Sequence, residues 1–152
     1  MHTPTLRPAA PSDAHSLHEA CFPDQTLDQV REHLRWCLAE EEKGRLVCLV
    51  AAANGQAVAI GQLAVLRDAG EIGSLVVAPA QRRQGIGTAL VYALIERARQ
   101  RHLRAVEITA DVQRPWIRAW YERLGFVCRR EHDYPGERVA VLTMDLTQGA
   151  PQ

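Results

Sequence analysis

The segment over residues 71–98 constrains the fold most strongly, because an apolar strand pattern, a basic turn with two glycines and an apolar helix pattern follow one another directly. In the helix, Ile86, Leu90 and Leu94 recur along one stripe, which predicts a face packed against a sheet. A helix in this position crosses over between two parallel strands. The segment therefore predicts a mixed α/β architecture.

The turn in the middle of this segment has the composition of an anion-binding site. It consists of Arg82, Arg83, Gln84, Gly85, Ile86, Gly87 and Thr88. The first N–H groups of a helix lack intrahelical partners and lie at the positive end of the helix dipole, so they attract phosphate. Glycines let a ligand approach the backbone, and arginines add charge-assisted hydrogen bonds. We expect a pyrophosphate here; an ordinary turn whose glycines only relieve strain is the alternative on these residues alone.

Two familiar nucleotide-binding motifs do not fit this turn. A P-loop needs a lysine followed by serine or threonine after its last glycine, whereas Thr88 follows Gly87 directly. A dinucleotide fingerprint needs a third small residue where Leu90 stands. A nucleotide-binding α/β domain is therefore disfavoured, but it is kept as a rival hypothesis.

Two motifs taken together carry a family resemblance. Residues 77–87 read V-x-P-x-x-R-x-x-G-x-G, and residues 120–126 read W-Y-E-R-L-G-F. In this order and at this separation they resemble the acetyl-CoA-binding motif and the helix-to-strand motif of the GNAT superfamily of N-acetyltransferases. The resemblance covers nearly the whole chain. It implies the GNAT fold, in which about four helices flank a mixed, mostly antiparallel central sheet.

The resemblance also implies a reaction. Acetyl-CoA is the expected cosubstrate, no metal takes part, and a primary amine of a small molecule, an amino acid or a peptide attacks the thioester directly in a ternary complex. The alternative is a non-catalytic acyl-CoA-binding or sensing module. Arg114 stands where many relatives carry asparagine, which puts one cofactor hydrogen bond in doubt and offers a guanidinium for a phosphate or an acidic substrate group instead.

Individual site residues follow from the same resemblance. Backbone groups of Leu75 and Val77 are expected to bind the pantetheine arm, and the basic turn the pyrophosphate. Tyr121 stands where family members place a general acid or a group that stabilises the departing thiolate. Since a phenol has a pKa of about 10 and a thiol of about 8.5, full proton transfer is uphill by about 2 kcal/mol, and a hydrogen bond suffices. In the competing interpretation, Tyr121 only extends an aromatic helix face on which Trp116 and Trp120 pack together.

A general base is harder to identify than an acid. By the two-residue alternation of a strand, Glu71 shares a face with Leu75 and Val77, which makes it the best carboxylate candidate. A β-bulge would change this register, and an exposed glutamate at a strand end is an equal alternative. Weaker candidates are Glu107, His132 and Asp133. A water chain can also accept the proton, in which case no single base is needed.

Composition sets the outer limits of these interpretations. A chain of 152 residues with 47% hydrophobic residues is the size of one domain, which we place at residues 1–147, with a short tail at 148–152. Formal net charge is zero, so no global field attracts nucleic acid or a membrane surface. No run approaches the roughly 18 apolar residues of a membrane helix, and the first residues lack the apolar stretch of a signal peptide.

The four cysteines, at positions 21, 37, 48 and 128, have no C-x-x-C spacing. We therefore expect reduced thiols and a cytoplasmic protein. A homodimer stays open, since dimers are the commonest assembly. The acceptor site is expected from the parts that the motifs leave undefined, namely the first two helices over residues 17–37 and the last hairpin over residues 132–138.

Overall fold

The structure is a computed structural model that describes residues 4–147. Its strands are β1 (Thr5–Pro8), β2 (Leu46–Ala53), β3 (Gln56–Leu66), β4 (Ala69–Val77), β5 (Ala105–Asp111), β6 (Val127–Tyr134) and β7 (Glu137–Asp145). Its α-helices are α1 (Ala14–Cys21), α2 (Leu27–Glu42), α3 (Ile86–Gln100) and α4 (Pro115–Arg123). Single 3-10 turns lie at Pro11–Asp13 and Pro79–Gln81. The expected fold class, a mostly antiparallel sheet flanked by four helices, is confirmed; the predicted tail at 148–152 lies outside the described residues.

The strands form one sheet in the order β1-β2-β3-β4-β5-β7-β6. Every neighbouring pair is antiparallel except β4 and β5, which are parallel and are joined by the α3 crossover. These two strands pair only at Ala69, Gly70 and Glu71, opposite residues 105–107. Beyond that point β4 and β5 separate within the described chain, so the centre of the sheet opens into a gap whose edges carry unpaired backbone groups.

Each face of the sheet has its own apolar core. Between α3 and the sheet, the side chains of Leu90 and Leu94 on the helix and of Val106 on β5 are fully buried. On the opposite face, Leu17 of α1 and Leu34 of α2 are buried over the strands β2 and β3. Full burial of one such side chain contributes roughly 1.5–3 kcal/mol relative to its exposed state. The two helix layers therefore fix the sheet on which the central gap lies.

The first two helices begin in different ways. Helix α2 begins at Leu27 and is capped by Thr26: the Thr26 hydroxyl accepts from the Gln29 amide at 3.1 Å, and the Gln29 side chain accepts from the Thr26 amide at 2.8 Å. Asp13 is the N-cap residue of α1, yet its side chain makes no capping hydrogen bond to that helix. Its carboxylate instead binds the Arg7 guanidinium through two bonds of 2.7 and 2.8 Å, which ties β1 to the first helical turn.

Candidate active site

An open cleft of about 750 Å³ lies between the second half of β4, the turn before α3, and α4. Its volume is in the range of small-molecule sites. The cofactor residues expected from the sequence all line this cleft except Gln84. Tyr121 and Arg114 line it as well, together with Arg123, which the sequence analysis did not single out.

One wall of the cleft is the free edge of β4, which a bulge shapes. Gly73 is opposite Gln62 and Val76 is opposite Ile60, so β4 has one residue more than β3 between these pairs. Ser74, within the bulge, has a positive φ of 50°. The bulge turns the backbone after the point where β5 has already departed. The N–H and C=O groups on this side of residues 72–77 therefore have no strand partner among the described residues. Apart from the Val77 carbonyl, which accepts from Arg82, they are available to a ligand.

The bulge corrects the expected position of Glu71. Glu71 was expected on the same face as Leu75 and Val77, but Glu71 is opposite Ala64, and Val77 is opposite Ala59. Ala64 packs on the core beneath α1 and α2, whereas Ala59 belongs to the core beneath α3. The expectation was wrong because the extra residue at the bulge reverses the alternation. Glu71 is exposed on the side of the sheet opposite the Leu75 and Val77 side chains, at the last β4–β5 pair, next to Glu107.

A second wall is the start of α3, which has the features of an anion site. Gly85 is the N-cap residue with a φ of 79°, and no side chain caps this end. The first intrahelical bond is donated by Ala89 to the Gly85 carbonyl at 3.0 Å. The amides of Gly87 and Thr88 have no acceptor among the described residues and point out of the positive end of the helix dipole.

The basic residues of the turn add positive charge to this helix end. Arg82 donates from Nε to the Val77 carbonyl at 3.3 Å, which connects the turn to β4. Arg83 adopts a φ of 65° and lines the cleft, as do Arg114 and Arg123 from the two ends of α4. These four arginines line the same cleft as the uncapped amides, and guanidiniums are well suited to binding phosphate groups. Arg114, the position at which this sequence differs from the asparagine of many relatives, therefore lies in the cleft.

Gly87 has a different role from the one that its place in the motif suggested. A Cβ on Gly87 would lie 3.2 Å from the Trp120 ring and 3.7 Å from the Val77 side chain. The space beside this glycine is thus filled by the indole of α4, and not left for a ligand. Trp120 also donates from Nε1 to the Thr88 hydroxyl at 3.0 Å. This contact between α3 and α4 was not expected, because no spacing in the sequence connects the two residues.

Tyr121 is buried at the back of the cleft with 7% of its surface exposed. Its ring lies 4.9 Å from that of Trp120 and 6.1 Å from that of Phe126. Burial raises the pKa of Tyr121, so the hydroxyl stays protonated at neutral pH and can donate a hydrogen bond. The expected stacking of Trp116 on Trp120 is not found in the described chain, and Trp116 is 65% exposed at the rim of the cleft.

The weaker candidate bases are not brought into the cleft. Glu107 forms an ion pair with Arg130 at 3.8 Å, and Asp133 one with Arg138 at 3.6 Å. His132 and Asp133 are on β6, which β5 and β7 separate from β4. The described side chains of the last hairpin therefore do not line the cleft, whereas the loop between α1 and α2 borders a smaller pocket on the other side of β4.

The side chains that commonly bind metals do not cluster within residues 4–147. No group of three or more histidine, cysteine, aspartate or glutamate side chains is placed to hold a metal ion there. The four cysteines are all free thiols; Cys37 and Cys48 are buried, and burial raises the pKa of Cys21 to about 11. None of the described helices is both long and apolar enough to cross a membrane.

Comparison with known proteins gives a consistent set of similarities. The sequence profile of the acetyltransferase (GNAT) family matches residues 12–126. An uncharacterized N-acetyltransferase of Methanocaldococcus jannaschii is 35% identical over 105 residues, which are 63% of this chain and 44% of that protein. The match thus spans less than half the length of that relative.

Solved structures share the fold over almost the entire chain. Ribosomal-protein-alanine N-acetyltransferase from Brucella melitensis superimposes with a TM-score of 0.79 at 22% identity, covering 93% of this chain and 99% of that one. The PaiA N-acetyltransferase from Thermoplasma acidophilum, solved in complex with coenzyme A, has a TM-score of 0.77 at 14% identity and covers 95% and 99%. At these identities the similarity concerns the fold.

Proposed function

Since the chain belongs to the acetyltransferase (GNAT) family, we propose that it is an acetyl-CoA-dependent N-acetyltransferase. The acceptor is a primary amine of a small molecule, an amino acid or a peptide, and it attacks the thioester directly in a ternary complex. One observation carries the proposal: the unpaired β4 edge, the uncapped start of α3 and Tyr121 all line one cleft of about 750 Å³.

Each part of the cleft has a role in holding the cosubstrate, which supplies an activated acetyl group when bound. Backbone groups of Leu75 and Val77 bind the pantetheine arm as a neighbouring strand would. Residues 82–88 bind the pyrophosphate through the free amides of α3 and through the guanidiniums of Arg82 and Arg83. The third phosphate of coenzyme A lies toward Arg114 and Arg123, which line the same cleft.

The chemical step needs stabilisation at two atoms. An unpaired β4 amide donates to the carbonyl oxygen on which negative charge develops; removal of one such donor from an enzyme costs about 2.7–4 kcal/mol of transition-state stabilisation. Tyr121 donates its hydroxyl proton in a hydrogen bond to the departing sulfur. Because burial raises the pKa of Tyr121, it acts as a stabiliser of the thiolate and is a weak proton donor.

Glu71 is the proposed proton acceptor for the attacking ammonium. Support comes from its position at the last β4–β5 pair, where the strands part, and from its exposed side chain on the face opposite Leu75 and Val77. From that side an amine reaches the gap without crossing the cosubstrate. A water molecule held by the carboxylate can carry the proton over any remaining distance.

The proposal is tested by binding and turnover together. Calorimetry with acetyl-CoA should show binding at one site per chain, and mixing with a panel of amines should release free CoA together with an N-acetylated product. Binding without release for every amine would instead identify a non-catalytic acyl-CoA-binding module. Tighter binding of ATP or NAD than of CoA would contradict the cofactor assignment.

A further inference from the structure

A second, smaller pocket of about 260 Å³ adjoins the cleft on the opposite face of β4. Val76 borders both spaces, and Ser74 in the bulge borders the smaller one. If the pyrophosphate lies at the start of α3 and the pantetheine arm follows β4 back from Val77 to Leu75, the acyl end arrives at the bulge beside this pocket. The pocket is thus where an acceptor amine can enter.

The lining of this pocket contains no carboxylate, lysine or arginine side chain. Phe22, Val30 and Val76 provide apolar surface, while Gln25, His33 and Ser74 provide polar atoms. A second ammonium group placed here would lose water without gaining a carboxylate, which is strongly unfavourable. A compact, uncharged group beside the amine is accommodated without that cost.

An acceptor of low basicity also suits a neutral pocket. An α-amino group has a pKa of about 7.7–8.0, whereas an alkylamine resembles lysine at about 10.4. At pH 7.5 about a third of the first is therefore already the neutral nucleophile, against about a thousandth of the second. A pocket without a carboxylate thus favours the α-amine.

The hydrogen bonds of His33 fix the tautomer of its ring. Its Nε2 lies 3.0 Å from the Nε2 of Gln62, and an amide nitrogen only donates, so the imidazole nitrogen accepts. The same amide nitrogen donates to the Cys37 sulfur at 3.0 Å, which orients the buried Gln62 side chain. The neutral ring therefore has its proton on Nδ1. Trp36 stacks on the ring with centroids 6.2 Å apart.

We propose that this pocket receives the acceptor and that His33 is a specificity-determining residue, whose Nδ1–H donates to a carbonyl group next to the attacking amine. The inference rests on the proposed function and names its substrate class: an α-amine adjacent to a carbonyl and carrying a compact uncharged side chain, as in a peptide N-terminus or an amino-acid amide. Nδ1 has no other partner among the described residues, so it is available as a donor.

The test compares two amines of similar shape, alaninamide and isopropylamine, the second of which lacks the carbonyl. With His33→Phe, which keeps a ring on Trp36, KM for alaninamide should rise about tenfold, equivalent to about 1.4 kcal/mol for one hydrogen bond, while kcat stays within about twofold. The loss with isopropylamine should be clearly smaller, because this amine has no carbonyl group that could accept the hydrogen bond. His33→Gln restores a donor and should recover most of the loss.

His15→Phe is the matched control, because this histidine is exposed on α1 and lies outside the pocket, with its Nε2 3.3 Å from Glu19. No loss in His33→Phe, or an equal loss with both amines, would overturn the proposal. So would an equal or greater kcat/KM of the wild type for 1,3-diaminopropane than for alaninamide.

A readout that needs no turnover separates this inference from the proposed function. In the CoA-loaded wild type, alaninamide should shift the ring NMR resonances of His33 and leave those of His15 in place. Absence of the His33 shift would overturn the assignment of the pocket. If the shift is present while no amine is acetylated, the pocket assignment holds and the proposed catalysis fails.

Discussion

The indole nitrogen of Trp120 lies 3.0 Å from the hydroxyl oxygen of Thr88, and the same indole fills the space beside Gly87. Helix α4 is thereby attached to the first turn of α3, where the pyrophosphate is expected. Tyr121 follows Trp120 directly in the chain. The contact between Trp120 and Thr88 therefore connects the start of α3 to the helix that carries Tyr121.

Gly87→Ala tests this contact. The new Cβ would lie 3.2 Å from the Trp120 ring, so the ring must move or the helices must separate. We expect a loss of about 1–3 kcal/mol in stability, typical of overpacking, and weaker binding of acetyl-CoA. Gly73→Ala is the control in thermal unfolding, since nothing lies within 4 Å of the position that its new Cβ would occupy. Equal unfolding midpoints for the two variants would contradict the packing role.

Arg82→Glu tests the phosphate end of the cleft. Replacing a cation by an anion beside the free amides of α3 should weaken acetyl-CoA binding about 10- to 100-fold, because a charge-assisted bond contributes about 1.5–3 kcal/mol. Calorimetry at two salt concentrations measures the effect, which should shrink at high salt. Arg99→Glu, exposed near the end of α3 and outside the cleft, is the control. Unchanged affinity in Arg82→Glu would remove the turn from the cofactor site.

Tyr121→Phe should lower kcat about 10- to 100-fold while the affinity for acetyl-CoA stays within about threefold, because the lost hydrogen bond forms mainly in the transition state. Burial raises the pKa of Tyr121, so its protonated form persists below and somewhat above the ordinary phenol value of about 10. The ratio of wild-type to variant kcat should therefore be constant from pH 7 to 9. A ratio that falls across this range would contradict a protonated donor.

Substitutions distinguish the roles of Glu71 and Glu107, the two carboxylates at the last β4–β5 pair. Glu71→Gln should lower kcat/KM at pH 7 by about 100-fold or more if this side chain accepts the proton, and the deficit should narrow as rising pH deprotonates the amine in solution. Glu107→Gln, which loses the ion pair with Arg130, should have a much smaller effect. The reverse order of the two variants would assign the role to β5, and equal small losses would favour water alone.

Asp13→Asn tests the attachment of β1 to α1. Although burial alone would raise it, the pKa of Asp13 is held below its ordinary value by the Arg7 guanidinium and the Ala10 amide. Because the folded-state pKa lies below the unfolded value of about 3.9, the carboxylate adds stability at pH values above about 3.9. This stability is lost as the pH falls from there through the folded-state pKa.

At pH 7 the variant should therefore be less stable by roughly 1.5–3 kcal/mol in urea unfolding, and the difference should shrink below about pH 4. Asp28→Asn, on a side chain that is 91% exposed, is the control and should change little at either pH. A constant difference between pH 7 and pH 3 would contradict the ionic origin.

Much of the fold was predictable because its signals are local. The crossover helix α3 follows from the stripe of Ile86, Leu90 and Leu94, and the grouping of the turn residues in one cleft follows from their continuity along the chain. The position of Tyr121 in the same cleft was expected from the family motif, and not from any contact that the sequence alone displays.

Other features depend on tertiary contacts and left no mark in the sequence. The bulge at Ser74 places Glu71 on the opposite face of the sheet from the expected one. A serine in the sequence does not indicate a positive φ. The contact of Trp120 with Thr88 and the hydrogen bond of Gln62 with His33 join residues that are 32 and 29 positions apart. Such pairs become neighbours only once the sheet and its two helix layers have packed.

The central claim, that the cleft presents an acetyl thioester to an amine, is tested most directly by the release of free CoA thiol from acetyl-CoA. We predict release that requires an added amine, saturates with its concentration, and matches the N-acetylated product mole for mole. Thiol release that no amine raises above the background hydrolysis of acetyl-CoA, in protein that binds acetyl-CoA, would contradict it.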